Sequence, residues 1–202
     1  MNLKKALDLF GTILIAFVLA MLLKTTVFAL PEIRMSSMEN TLLQGERALE
    51  LKFVYSFLEP KRGDVIVFDK ENKKAGFVSN YLKEVKETID MIRGNASKNH
   101  LIKRVIGIPG DEIEFCEGNV YINDVLLEEG YIKGETFADE METPFVVPEG
   151  KVFVMGDNRE VSLDSRNLGF IDYKQIEGKV IARIWPLKKM KVIKGLDSNN
   201  LF

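Results

Sequence analysis

Apolar residues fall along this chain in two regimes. Residues 9 to 23 read LFGTILIAFVLAMLL with no charge, and after Lys24 the apolar character resumes as Val27-Phe28-Ala29-Leu30 before Pro31. The stretch from Leu9 to Leu30 is about 22 residues, which at about 1.5 Å per residue matches the roughly 30 Å of a hydrocarbon core. Lys24 lies toward the far end, where its stem can snorkel to the interface. Pro31 stops a helix there. Lys4 and Lys5 precede the apolar run and place the N-terminus on the cytoplasmic side. A cleavable signal peptide and a buried core helix are the competing readings. The resumption after Lys24 and the lack of a small-x-small site favour a retained span. The expected organisation is a cytoplasmic tail at 1–8, a transmembrane helix at 9–30, and an extracytoplasmic domain at 31–202.

From Glu32 onward the apolar runs are short and bounded by turn residues, the pattern of strands. Runs at 48–55 (ALELKFVY), 64–68 (DVIVF), 101–108 (LIKRVIGI), 151–157 (KVFVMGD) and 178–187 (GKVIARIWPL) each predict one. Residues 111–127 predict a hairpin, with turns at Glu117-Gly118-Asn119 and Asn123-Asp124. The fold class expected is mainly β, an antiparallel barrel or sandwich. One segment has a different period. In 79–93 (SNYLKEVKETIDMIR), Leu82, Val85, Ile89 and Ile92 recur at helical spacing between Ser79 and Gly94. It predicts an amphipathic helix within an insertion at about 70–99. Residues 128–142 are acid-rich and predict a solvated loop. Aromatic and apolar residues at Phe28 to Leu30 and at Phe53, Tyr55, Phe57 and Leu58 fit either the core or a lipid-facing surface.

Composition narrows the chemistry. The 202 residues are 46% hydrophobic and 29% charged, with formal net charge −2. Such a chain builds a core and lacks the basic excess that nucleic acid requires. One cysteine, Cys116, cannot form an internal disulfide. One histidine, His100, leaves too few ligands for a Cys/His zinc site, and a Ser-His-Asp triad would have to use it.

Three blocks carry candidate chemistry. Met35-Ser36-Ser37-Met38-Glu39-Asn40-Thr41-Leu42 sets two serines just beyond the expected membrane exit. Lys103 and Arg104 lie among apolar neighbours in an expected strand, so they face opposite ways and one should meet the packed face. A buried lysine is costly to keep charged. Its pKa falls, and the neutral amine can take a proton from a serine hydroxyl. Gly156 through Arg166 (GDNREVSLDSR) forms a turn followed by hydroxyls and opposite charges, with Asp164 and Arg166 able to pair.

Together these blocks resemble bacterial type I signal peptidases. That family's Ser-Met-x-Pro-Thr-Leu box is similar to Ser37 through Leu42, and its Arg-Gly-Asp-hydrophobic box to Arg62 through Phe68. Its Lys-Arg-x-x-Gly-x-Pro-Gly-Asp box is similar to Lys103 through Asp111, and its Gly-Asp-Asn-x-x-x-Ser-x-Asp-Ser-Arg box to Gly156 through Arg166. The boxes occur in the family's order and cover nearly the whole chain.

The resemblance implies a membrane-anchored serine endopeptidase that cuts signal peptides from secreted precursors after small-x-small sites. Ser37 is then the nucleophile and Lys103 the general base. Ser162 orients the amine, and Asp164 and Arg166 support the loop. The Ser37 backbone N–H, with Ser36, holds the oxyanion, and Met38 neighbours the substrate. No metal or other cofactor is implied; the partners are secreted preproteins and membrane lipid. Two residues depart from the pattern. Asn40 replaces a proline that would fix φ, although Asn tolerates turns. Met35 stands where some members carry an oxyanion-binding serine. The alternatives are a non-proteolytic relative that assists pilus or surface-protein assembly, a self-cleaving Ser-Lys repressor, and an anchored binding module. The repressor would need a DNA-binding domain, for which the acidic chain with its apolar N-terminus has no place.

Overall fold

The computed structural model describes residues 5, 8–17, 27–70, 100–139, 141–193 and 195. The amphipathic helix expected at 79–93 and most of the insertion around it lie outside the described residues. Residues 8–17 are helical with their side chains largely exposed. Among the described residues, no helix is long and apolar enough to cross a membrane. One boundary is corrected. Phe28–Ala29 form a strand, β1, so the helix expected over 9–30 does not reach its predicted end. The run Val27-Phe28-Ala29-Leu30 suits strand or helix, and pairing with the neighbouring strand decides it.

Each short apolar run read as a strand contributes one, and three two-residue strands join them. These are β2 (Arg47–Leu51), β3 (Val65–Asp69), β4 (His100–Gly107), β5 (Glu112–Cys116), β6 (Asn119–Ile122), β7 (Val125–Leu126), β8 (Phe145–Val146), β9 (Lys151–Met155), β10 (Ile171–Asp172), β11 (Ile176–Trp185) and β12 (Lys191–Val192). The three additions are β8, β10 and β12. They make two antiparallel sheets. The larger has the order β1-β2-β11-β3-β4-β9-β10, with β12 also on β11; the smaller is β7-β6-β5-β8. Val54 and Tyr55, at the end of the run expected at 48–55, leave the strand for a 3-10 turn over Val54–Ser56. The two tight turns of the small sheet follow from their residues. Glu117 and Gly118 have φ of 49° and 78°, and Asn123 and Asp124 of 52° and 65°, the doubly positive pattern of two-residue hairpins.

β3 explains why the centre of the large sheet is dry on both sides. All five of its residues are buried. Ile66 and Phe68 join Leu101, Val105, Val154 and Ile176 on one face. Val65 and Val67 join Ile33, Met38, Leu42 and Val180 on the other. Each such side chain contributes about 1.5–3 kcal/mol by leaving water. A third cluster (Ile106, Ile113, Ile122, Phe153 and Met155 among them) closes the small sheet onto the large one. Gly107 permits that closure, because a Cβ there would lie 2.5 Å from Ile113 Cδ1.

Candidate active site

The site assembles where a short turn after β1 leans on the centre of the large sheet. Ser36–Met38 form one 3-10 turn. Met38, 1% exposed, is its anchor: it sits in the core cluster with Leu42 and Val65 rather than on an open surface. That anchoring holds Ser37 at the sheet. The backbone of the Gly156 block grips the turn from the other side. Asn158 N donates to Ser37 O at 3.0 Å, and Asn158 Nδ2 donates to Ser36 O at 3.2 Å. Gly156 allows this approach, since a Cβ there would lie 2.5 Å from Ser37 O and 2.2 Å from Ser162 Oγ.

Lys103 comes from the middle of β4 and is 1% exposed; Ser37 is 8% exposed. Lys103 Nζ lies 2.7 Å from Ser37 Oγ and donates to the Ile102 carbonyl at 3.0 Å. Burial dominates its electrostatics and lowers its pKa to about 8, while Asp164 and then Asp157 pull it partly back. At pH 7 about one-tenth of such amines are neutral, against fewer than about one in a thousand for a free lysine. A hydroxyl and a readily neutralised amine in contact form the pair that acyl transfer needs.

Arg104 is also buried, which revises the expectation that only one of the two basic residues meets a packed face. Both faces of β4 are covered. Arg104 Nε and Nη2 donate to the two oxygens of Asp157 at 2.9 and 2.8 Å, and Nη1 donates to Gly63 O at 2.9 Å. Its Nη2 also donates to Thr41 Oγ1 at 3.2 Å, and Thr41 Oγ1 in turn donates to Asp157. The Arg104 guanidinium lies over the Tyr131 ring, 4.0 Å from its centroid. Burial alone would lower the pKa of Arg104, and its bonds to Asp157 more than offset this, leaving it raised. Asp157 and Thr41 were not singled out as site residues from the sequence, although both lie in matching boxes. A turn motif announces the Asp157 backbone and says nothing of a partner 53 positions away.

The expected pair Asp164–Arg166 is present. Arg166 Nε and Nη2 each donate to the Asp164 carboxylate at 3.0 Å, and Gly156 N donates to it at 3.0 Å. Burial works against ionisation of Asp164. The hydrogen bonds and charge of Arg166 prevail and hold its pKa below the usual carboxylate value. Arg166 Nη2 also donates to Arg159 O at 2.7 Å, tying the loop to its own start. Ser162 departs from expectation. Its Oγ is buried without a hydrogen-bond partner among the described residues, although it lies near enough to Asp164 to help lower that carboxyl's pKa. The second partner of the lysine amine is the Ile102 carbonyl instead. Ser36 is half-buried and Met35 exposed.

Asn40 has φ of 87°, a value closed to proline. Its Nδ2 donates to Ile132 O at 2.8 Å, and Glu39 beside it pairs with Lys133 at 2.8 Å. The turn after Ser37 is thus clamped to residues 132–133 rather than loosened. Asn40→Pro, which restores the residue usual in similar boxes, is expected to destabilise the domain by about 1–3 kcal/mol through backbone conflict and loss of the amide bond. Thermal unfolding of the variant checks this; an unchanged or raised Tm would contradict the clamp.

Comparison with known proteins gives the family. Residues 6–185 match the family described as "Signal peptidase, peptidase S26". The chain is 34% identical to signal peptidase I of Bacillus licheniformis over 188 residues, covering 89% of this chain and 88% of that one. It is 31% identical to signal peptidase IB of Staphylococcus aureus over 205 residues, covering 93% and 94%. A crystal structure of a signal peptidase I from Enterococcus faecalis aligns with a TM-score of 0.41 at 28% identity, covering 60% of this chain and 97% of that one.

Proposed function

Because this chain belongs to the signal peptidase family, peptidase S26, we propose that it removes signal peptides from secreted preproteins with a Ser37–Lys103 dyad. The 2.7 Å contact between a buried amine and a hydroxyl carries this reading. The precursor's cleavage segment binds in extended form beside the Ser37 turn, by strand addition. Neutral Lys103 Nζ takes the proton of Ser37 Oγ as the oxygen attacks the scissile carbonyl carbon. The tetrahedral oxyanion is held by the Ser37 backbone N–H, with Ser36 as a second candidate donor. Met35 supplies none. The Lys103 ammonium then gives its proton to the departing amine, leaving an ester on Ser37. Water attacks that ester while Lys103 takes one of its protons and returns it to Ser37 Oγ. Asp164 and Asp157 stabilise the transient ammonium; Arg166 keeps Asp164 ionised, and Arg104 holds the Asp157 carboxylate in place through its paired bonds. Ser162 orients the amine when its side chain rotates toward it.

The chain is anchored in this proposal, with its N-terminus cytoplasmic, its span ending before Phe28, and the β domain on the far side. Exposed apolar residues support contact with lipid. Leu30, Trp185 and Leu187 line one shallow apolar pocket, and Phe57 is 83% exposed. Tyr55, in contrast, packs on the core with its hydroxyl donating to Asp64 at 2.9 Å. Anchoring confines enzyme and substrate near one plane and raises their effective concentration. Alkaline carbonate extraction tests this: the protein is expected to stay with the membranes, and release into the soluble fraction would contradict the anchor.

The reaction itself is tested by incubating purified protein with a precursor carrying an Ala-x-Ala site. Cleavage after the second Ala is expected from the native chain; intact precursor would favour the non-proteolytic alternative. The rate should depend on pH through the amine. Only neutral Lys103 accepts a proton, so kcat/KM is expected to rise about tenfold per pH unit below about pH 8 and to level off above it. A profile flat from pH 6 to 10 would refute a titrating lysine base.

A further inference from the structure

The end of the large sheet opposite the Gly107 bulge gathers a second set of chemically distinctive groups. β3 ends at Asp69 and β4 begins at His100, and these two residues are direct cross-strand partners. Glu177 comes from β11, the strand on the other side of β3. Glu177 is the extra residue of a bulge between Ile176, which pairs with Phe68, and Gly178, which pairs with Val67, and the bulge brings its carboxylate to Asp69 and His100. One donor atom from each of Asp69, His100 and Glu177 lies within 4.8 Å of the other two, and His100 Nε2 is 3.1 Å from Glu177 Oε1. Asp69 is 2% exposed, while His100 and Glu177 are half-buried.

We propose that Asp69, His100 and Glu177 form a binding site for a divalent first-row metal ion, zinc by preference. An imidazole with two carboxylates is a donor set that zinc accepts, with bonds of about 2.0–2.2 Å and a fourth position left to water. Ligand atoms around a tetrahedral zinc stand about 3.3 Å apart. The His100–Glu177 spacing is already near this value, and the Asp69 donor lies within 4.8 Å of both. The donors are fixed in place by three neighbouring paired strands, and Gln175 Nε2 holds the Asp69 carbonyl at 3.1 Å. A shortage of Cys and His in the sequence rules out only sites built from those two residue types. The imidazole disfavours magnesium and calcium, which take oxygen ligands. The ion has no part in peptide cleavage. His100 and Lys103 are an odd number of residues apart on one strand, so they point to opposite faces, about 10 Å apart along the strand. Its effect is to fasten the ends of β3, β4 and β11 together where the chain departs after Asp69 and rejoins at His100.

The test uses the full chain purified in detergent, stripped with chelator and dialysed, then titrated calorimetrically with Zn²⁺. Saturable binding of one ion per chain is expected, with Tm raised by about 5 °C at saturation. His100→Ala and Glu177→Gln should each weaken Zn²⁺ binding at least about tenfold. Both variants should keep the chelator-treated protein's Tm and precursor cleavage, which shows that they fold. Mg²⁺ at the same concentration should not compete. Absence of saturable binding, binding unchanged in both variants, or displacement by equimolar Mg²⁺ would each overturn the proposal.

Discussion

Lys103→Met is expected to abolish precursor cleavage, by at least about 10³-fold in kcat, while leaving the protein more stable than the native chain at pH 7. Loss of activity follows because no other amine or imidazole contacts Ser37 Oγ among the described residues. The gain in stability follows from linkage. Lys103 carries a pKa of about 8 in the folded domain, against the ordinary lysine value of 10.5. Between those values the unfolded chain binds more protons than the folded one, so stability of the native protein climbs as pH rises from about 8 to 10.5. Below pH 8 the native domain holds a buried ammonium at a cost of order 3 kcal/mol, which methionine of similar length removes. Urea unfolding at pH 7 and pH 10 reads both effects: the variant should lead at pH 7, and its lead should shrink by pH 10. Ser37→Ala should lose cleavage to the same degree without the gain. A Lys103→Met protein that is inactive because it is unfolded would count against the account.

Asp157→Ala is expected to destabilise the domain by about 3–5 kcal/mol, the cost typical of leaving one partner of a buried ion pair alone. Arg104 would keep its bond to Gly63 O but lose both carboxylate contacts at a position 3% exposed. The double variant Arg104→Met, Asp157→Leu should recover most of that loss, since it removes the charge as well as its partner. Chemical denaturation of the three variants makes the comparison. A single variant within about 1 kcal/mol of the native chain would mean that the pair is far more solvated than its burial implies. The milder Asp157→Asn has a second readout. Asp157 is one of the two carboxylates that raise the Lys103 pKa, so the midpoint of the rate profile should move to lower pH.

Much of this fold was legible in the residue pattern because its strands are short apolar runs cut by Pro, Gly and Asn. DVIVF and LIKRVIGI became β3 and β4 within one residue, and the positive φ of Asn123 and Asp124 was written in their side chains. The two-residue strands β1, β8, β10 and β12 were not, because two residues carry no period; pairing with a longer neighbour makes them strands. The same ambiguity misplaced the end of the 9–30 helix. At the site, Ser37 and Lys103 could be named because the blocks that hold them resemble signal peptidase boxes in order; by themselves a serine near a turn and a lysine in an apolar strand are ordinary. Their neighbours are harder to foresee. Burial of Arg104 beside Lys103 needs a sheet covered on both faces. The contacts of Asp157 with Arg104 and Thr41 bridge segments far apart in sequence. The clamp through Asn40 depends on a backbone angle that a proline in that position would have forbidden.

The protonation of Lys103 is open to direct measurement. Lysines carrying ¹³C at Cε can be titrated by NMR in the folded, detergent-solubilised protein, with Lys103→Met identifying the resonance. The account predicts a midpoint near pH 8 for that one signal, well below the other lysines. A midpoint near 10.5, indistinguishable from a solvated surface lysine, would contradict it.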